Sequence, residues 1–382
     1  MGIKIECVRD DAGFLALEED WNNLLSQSKV NSIFLTWEWC SVWWEHFKDS
    51  RQLYVLTARE EDSNAIVGIA PLIIQPKSFY PQFGKNQIKI STPIKSLSFI
   101  GSNRAAPDHL DFITLADDDS AAVQAFTDYL HNVKPDWNII DFRGISSSSL
   151  IPSILLSGIS TSKVYQAQAE IPIIDLPDTW DELYANYNKK QRQNIRRRER
   201  RINEDFPDRI THKRIDDPEE IQPLIEKILD FGRETRGELS ESSGPEFSRI
   251  STFFVEIAKT FLSQNWLRLF TLSIDDEIIA VQNMFLYREK VYSFQKGYSP
   301  EYATYSPGNI ILVRNIQELI NEKAKMVDFL RGEHEYKLRW ASRLDTNSHI
   351  ILAIDALGSA FLKIFQAGRK LRAALPNRKE ED

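Results

Sequence analysis

Cysteine is scarce. The 382 residues contain only Cys7 and Cys40, with no C-x-x-C pair. That argues against a disulfide framework or a cysteine zinc site and fits a reducing compartment. The six histidines show no H-E-x-x-H or paired spacing, so no metal site is expected. The opening "MGIKIECVRDD" has no apolar signal core, and Glu6 stands where myristoylation needs Ser or Thr. No apolar run approaches the roughly 20 residues that span a bilayer. A cytoplasmic protein is therefore expected. Low-complexity segments and exact repeats are absent. So are G-x-x-x-x-G-K-[ST] and G-x-G-x-x-G, which leaves ATPase and dinucleotide-binding readings without a motif.

What is present is the composition of a folded chain, 42% hydrophobic and 27% charged. Its length suits two domains. The first half reads as mixed α/β. "IKIECV", "QLYVLTA", "AIVGIAPLIIQ", "SLSFIG", "DFITLA" and "WNIIDFRGI" look like strands. "FLALEEDWNNLLSQ" and "DDDSAAVQAFTDYLHNV" look like helices. After "IPIIDLP" the composition shifts, and a boundary is expected near Leu176. Thr179 and Glu182 form a capping box that opens a long helix containing the basic run. Two further helices follow, then strand, turn, strand, strand, helix, strand, which is an α/β order. This gives an N-terminal domain over 1–176, a C-terminal domain over 177–355, and an amphipathic basic helix and tail over 356–382.

The basic run is the most conspicuous feature. Lys189 to Arg201 hold eight Lys or Arg among thirteen residues, in a chain of 47 basic and 55 acidic side chains and net charge −8. Read as a helix, it sets Tyr187, Gln191, Ile195, Ile202 and Phe206 on one face and Arg192, Arg196, Arg200 and Asn203 on the other. A solvated face explains an isolated charge run. No aromatic is interleaved for base stacking, and the net charge is negative, so nucleic acid ranks below a compact phosphorylated ligand.

Four other stretches are candidates for chemistry. In "YATYSPGNIILVRN", Ser306, Pro307 and Gly308 precede an apolar helix whose first N–H groups suit a phosphate; ordinary capping explains the same residues. "VDFLRGEHEYKLRWASR" delivers Arg331, Glu333, His334, Glu335, Tyr336, Lys337 and Arg339 beyond a strand end, where open α/β sheets place ligands and where ion-pair clusters also form. "NRAAPDHLDF" offers Asp108 and His109 as reachable general bases, with a turn role favoured for Asp111. "SIFLTWEWCSVWWEHF" holds four of the nine tryptophans. Core packing accounts for most of them, and a stacking wall including Trp37 is the minority reading.

Together "FLTWEWCSVWWEHF", "IVGIAPLII", "PDHLDF", "YNKKQRQNIRRRERRI", "IIAVQNMFLY", "QKGYSPEYATYSPGNIIL" and "VDFLRGEHEYKLRW" resemble a known family in its own order. It is the GNAT-type acyltransferase family that includes the CelD-type proteins of bacterial cellulose and exopolysaccharide biosynthesis, distantly related to the Fem peptidyltransferases. The resemblance implies an α/β chain of two tandem GNAT-like domains with the active cleft between them. It implies an enzyme moving an acyl group, acetyl foremost, from acyl-CoA to an amine or hydroxyl, with no permanently bound cofactor. The usual pyrophosphate loop Q/R-x-x-G-x-G/A is absent, and Ser306 to Asn309 stand in its place.

Lys337 matches a lysine that serves near the oxyanion in the Fem relatives. Asp108, with His109 in reserve, is the candidate base. Ser306, Gly308, Asn309, Arg192 and Arg196 are expected at the cofactor phosphates, and Arg331, Glu335, Tyr336 and Trp37 at the acceptor. The acceptor is a small molecule or a glycan; a membrane or a polysaccharide synthase complex is the expected partner, with peripheral contact at the inner membrane. Two other readings are a non-catalytic scaffold of GNAT shape and a Fem-like transferase using aminoacyl-tRNA. In the tail, Phe361, Ile364, Phe365, Leu371 and Leu375 recur at helical spacing among Lys363, Arg369, Lys370 and Arg372. Docking against a core is favoured over a membrane surface for this helix.

Overall fold

Alternating apolar strands and amphipathic helices pack here into two units, Met1–Ala169 with Thr346–Asp382, and Glu170–Asp345. The computed structural model describes residues 2–79, 82–83, 86–87, 90–102, 105, 107–116, 119–236, 245–332 and 335–374. The chain changes unit at Ala169, a few residues before the Leu176 expected from composition. It returns to the first unit at Thr346, which composition did not show.

The first unit holds an antiparallel sheet ordered Ile3–Val8, Val55–Glu60, Ile66–Ala70, Ile113–Thr114. A second sheet runs Gln52–Leu53, Leu72–Phe79, Ile90–Phe99, Ile139–Ser146, then residues 346–353 of the Arg343–Ala353 strand. Its neighbours are antiparallel except Ile90–Phe99 with Ile139–Ser146. Thr36 caps the Trp37–Phe47 helix by accepting from the Trp39 N–H. Trp37, Trp39, Cys40, Trp43, Trp44 and Phe47 of that helix are all buried, while Glu45 on the remaining side is exposed. Each tryptophan takes roughly 200 Å² out of water, about 5 kcal/mol of transfer free energy before entropy is charged against it.

The Ala356–Ala374 helix belongs to this unit. Asp355 caps it, accepting from the Gly358 N–H and from Asn138 Nδ2. A Cβ on Gly358 would lie 2.1 Å from the Asn138 carbonyl oxygen, so only glycine allows this approach. Phe361 and Leu362 bury themselves against Ile94, Ile139, Ile351 and Ala353, while Ile364 stays 64% exposed. The helix thus covers a core, as its amphipathic pattern favoured. The side chain of Leu371 and all of Leu375 lie outside the described residues.

The second unit is an antiparallel meander of Ile210–Ile215, Leu267–Ile274, Glu277–Tyr287 and Lys290–Tyr298. The Pro307–Asn321 helix then crosses over to Met326–Asp328, which pairs parallel with Lys290–Tyr298. Residues 173–175 of the Val164–Asp175 strand complete the sheet. Ile310, Ile311, Ile316 and Leu319 press the crossover helix onto Phe270, Leu272, Met284 and Val291. Behind them Asn315, fully buried, donates to Gln282 and hydrogen-bonds His212 Nε2 at 2.7 Å. Such a crossover sets the helix start just beyond the end of the preceding strand, where open sheets gather ligands. Among the described residues, no helix is long and apolar enough to cross a membrane, and no group of three His, Cys, Asp or Glu could hold a metal ion.

Candidate active site at the start of the Pro307–Asn321 helix

Lys296 and Gly308 meet where the Lys290–Tyr298 strand gives way to the crossover helix. The Lys296 ammonium nitrogen lies 3.2 Å from the Gly308 carbonyl oxygen and 3.9 Å from the centre of the Tyr336 ring. A Cβ on Gly308 would come to 3.2 Å from Tyr298 and 3.5 Å from the Lys296 stem, so glycine leaves room for the lysine to pass. Ser306 takes left-handed backbone (φ 58°) as the chain turns into the helix, and its carbonyl accepts from the Asn309 and Ile310 N–H groups. Pro307 has no N–H and those of Asn309 and Ile310 are taken, so among the described residues the first turn leaves the Gly308 N–H, at the positive end of the helix dipole.

Lys337 faces this start from the short Glu335–Trp340 helix. It is buried, and its ammonium donates to the Arg331 carbonyl at 2.9 Å and the Leu330 carbonyl at 3.3 Å. Leu330 itself has left-handed backbone (φ 57°), a costly conformation for a branched residue and one that turns its carbonyl toward the lysine segment. Lys296 is half-buried. Burial, reinforced by the neighbouring Lys337 charge, pushes its amine down to about 7. Contact with the Tyr336 ring favours the charged form and opposes that shift.

A depression beside the helix start is lined by Ile195, Arg198, Glu199, Asn309, Val313 and Trp340. Trp340 donates its indole N–H to Asn309 Oδ1 at 3.3 Å and meets Tyr187 edge-on. Glu199 is bound by Arg314. Arg198 sits beside Arg339, and burial together with that like charge lowers its pKa. Among the described residues, neither Arg198 nor Arg339 forms an ion pair.

Most arginines of the basic helix are engaged close to their own segment. The expected single helix from Thr179 is two, Trp180–Asn186 and Lys189–Asp205, with Asn188 capping the second by accepting from the Gln191 N–H at 2.9 Å. Arg192, expected at a phosphate, instead donates to the Ala185 and Tyr187 carbonyls and closes the end of the first helix. Arg196 lies over the Tyr184 ring, and Arg201 lies over Tyr305 while donating to the Thr304 carbonyl. Arg200 pairs with Glu204 at the surface. Of the basic side chains in the run, Arg198 lines the depression.

Other sequence candidates fare unevenly. Asp108, expected as a reachable base, is fully buried and accepts from Asn347 Nδ2 at 2.8 Å in the first unit. His109 is half-buried with φ 55°. Trp37 is core, its ring 4.5 Å from Phe14 and 5.6 Å from Trp21, which removes the stacking wall. Arg331 is half-buried and offers its carbonyl to Lys337, and Glu335 is exposed. Glu333 and His334 lie outside the described residues. The structure therefore brings together Ser306, Gly308, Asn309, Tyr336 and Lys337. It adds Lys296 and Arg198, which the sequence reading did not single out. A lysine inside an aromatic strand, followed at once by a glycine ("SFQKGY"), was the available signal.

Residues 189–338 match the family described as Acetyltransferase (GNAT) domain. Arg198, Lys296, Ser306 to Asn309 and Lys337 all fall inside that match. Among solved structures, FemX superposes with a TM-score of 0.58 at 11% identity, covering 91% of this chain and 98% of its own. A conserved protein of unknown function from Bacteroides thetaiotaomicron VPI-5482 gives 0.54 at 12% identity, covering 91% and 100%. No curated protein matches the sequence. The fold is the mixed α/β arrangement that the resemblance implied, with the GNAT match in the second unit.

Proposed function

We propose that the protein is an acyltransferase whose reaction centre is the Lys296–Lys337 pair at the start of the Pro307–Asn321 helix. The observation that carries this reading is a half-buried lysine amine near neutrality beside a second buried lysine, within the GNAT match. Acyl transfer needs a base for the attacking amine or hydroxyl and a donor for the thioester oxygen as it gains charge. Lys296 is the base, because an amine near 7 is substantially neutral at physiological pH and can accept that proton. Lys337 is the oxyanion donor, its ammonium held by two carbonyls. The proton then passes to the departing thiolate.

The donor is acyl-CoA, acetyl-CoA foremost. Its phosphates take the Gly308 N–H, with Arg198 and Arg339 replacing the contacts that Arg192 and Arg196 do not make. The acceptor is a small molecule or glycan amine or hydroxyl in cell-envelope polysaccharide synthesis, with peripheral membrane contact. The sequence resemblance supports that setting. A second reading, aminoacyl transfer, is favoured by the FemX superposition and by the missing Q/R-x-x-G-x-G/A loop. A thermal-shift screen separates them, since a ligand bound only by the native state raises its stability. Free CoA and acetyl-CoA should raise the melting temperature. If neither does and an aminoacylated RNA minihelix does, the second reading replaces the first.

A further inference from the structure

The first unit contains a buried charge cluster that the acyl-transfer site does not use. Asp141 is almost wholly buried, and its two oxygens are crowded with donors. Oδ1 accepts from His349 Nε2 at 2.7 Å and from Arg143 Nε at 3.1 Å. Oδ2 accepts from Lys77 Nζ and, at 3.3 Å, from Arg143 Nη2. Lys77 comes from Leu72–Phe79, Asp141 and Arg143 from Ile139–Ser146, and His349 from Arg343–Ala353. The pairing shifts register between Phe142 and Ile145, so Arg143 and Gly144 together oppose His349, and Gly144 takes φ 69°. A bulge of this kind re-aims a side chain at the cost of ladder pairing, and bulges concentrate beside binding sites.

One carboxylate thus faces an arginine, a histidine and a lysine whose pKa burial lowers while Asp141 opposes the shift. With Lys77 held charged by Asp141 and His349 neutral, the cluster carries a net positive charge in a place where mainly Arg143, at 33%, and His349, at 18%, reach solvent. Burying an uncompensated charge is expensive, and a satisfied cluster would pair it. Arg143 spends its Nε and Nη2 on Asp141, which leaves the Nη1 group. His349 spends Nε2, which leaves Nδ1. Two residues before Lys77, the buried Gln75 Nε2 has no hydrogen-bond partner among the described residues.

We propose that Lys77, Asp141, Arg143 and His349 form a second binding site, in the first unit, for the oxyanion of a small acidic ligand. The anion sits against Arg143 Nη1 and His349 Nδ1, supplies the missing counter-charge, and is held in place because Asp141 fixes both side chains. The groups facing His349 are Asp141 and Arg143 on one strand, Lys77 beyond them, and the Tyr165 ring at 5.5 Å with Arg369 stacked over that ring. Without a ligand, burial lowers the histidine, Arg143 and Lys77 lower it further, and Asp141 raises it. A bound anion cancels part of the cationic effect, so binding takes up a proton at His349. Affinity then rises as pH falls toward the histidine range.

The test is the titration of His349 by NMR in the full-length labelled chain, its resonance assigned by loss in His349→Gln. Inorganic phosphate and acetate, each at tens of millimolar, are the two probes. The expected result is an upward move of the midpoint by about one unit, equivalent to a tenfold linkage. A move with phosphate alone assigns a phosphorylated ligand; a comparable move with acetate assigns a carboxylate. Arg143→Gln should abolish the move while Lys77 still neutralises Asp141, and Arg143→Lys should retain part of it. A midpoint indifferent to both anions, or an equal move in Arg143→Gln, would overturn the proposal and leave a closed structural ion cluster.

Discussion

Each unit gathers a set of positive side chains around a buried lysine, and the two sets differ in what balances them. In the first, Asp141 stands at the centre and ties Lys77, Arg143 and His349 into one network. In the second, Lys296 and Lys337 meet carbonyls and an aromatic ring, and Arg198 and Arg339 lie side by side. A central carboxylate fixes geometry, and it lowers its own pKa strongly because Lys77 and Arg143 outweigh its burial. Where the neighbours are carbonyls and other cations, the strain goes into titration instead, and Lys296 gives up its proton readily. The first arrangement holds groups still; the second, on the proposed function, keeps a base and two arginines without an ion pair among the described residues for the acyl donor.

Replacing the centre of the first cluster should have the largest effect on stability. Asp141→Asn removes the only negative charge in that network and leaves the buried Lys77 and the partly buried Arg143 without a counter-charge. We expect a loss of about 3–5 kcal/mol in denaturant unfolding, the range for breaking a buried pair. A loss under 1 kcal/mol would mean the cluster is solvated and the contrast between units is false.

In the second unit, Arg198→Glu together with Arg339→Glu should weaken CoA binding roughly ten- to a hundredfold by calorimetry, the scale of losing charged hydrogen bonds. Arg192→Glu should leave binding unchanged and affect only stability, since that side chain closes a helix end. Equal losses in both variants would return the phosphate site to the outer face of the basic helix.

Lys296→Met sharpens the comparison through pH. The native amine titrates near 7 and the unfolded one near 10.5, so between these values the unfolded chain holds the extra proton and wild-type stability rises with pH. The penalty on charged Lys296 is complete below pH 7. The variant should therefore melt a few degrees above wild type at low pH, with the gap closing as pH approaches 10. A gap independent of pH would show that Lys296 titrates normally.

The smallest effect concerns the Ala356–Ala374 helix. Weak, salt-sensitive sedimentation with anionic liposomes is expected, worth about 1 kcal/mol for each basic residue near the surface. Deleting residues after Asp355 would also strip Phe361 and Leu362 from the core, so Lys363→Glu and Ile364→Asn are the cleaner variants. Binding that ignores both would place the contact elsewhere.

Much of the fold was legible because it rests on period and capping. Thr179 and the apolar stripe of Ile195 and Ile202 can be read from sequence, as can the order along the chain of strands and helix from Leu267 to Asp328; the Asn188 cap and the Ile210–Ile215 strand were not. The return of residues 346–382 to the first unit was not, because pairing between Ile139–Ser146 and Arg343–Ala353 joins positions two hundred residues apart. The site was half legible. Ser306 to Asn309 and Lys337 announce themselves by turn chemistry and charge density. Lys296 does not, since its meaning comes from burial against Gly308, Tyr336 and Lys337, none of which is a neighbour in sequence. Arg192 and Trp37 misled for the converse reason: charge and aromaticity say nothing about whether the group is already engaged by a carbonyl or a core.

Lys337 tests the account most directly. Free thiol release from acetyl-CoA, measured with a pool of amine and hydroxyl acceptors, should be catalysed by the wild-type chain. Lys337→Met keeps the buried stem but removes the donor. It should reduce that rate by roughly 10²–10³, the cost of one oxyanion donor, while circular dichroism and free CoA binding persist. A Lys337→Met variant that folds, binds CoA and releases thiol at the wild-type rate would contradict the claim that the Lys296–Lys337 pair is the reaction centre.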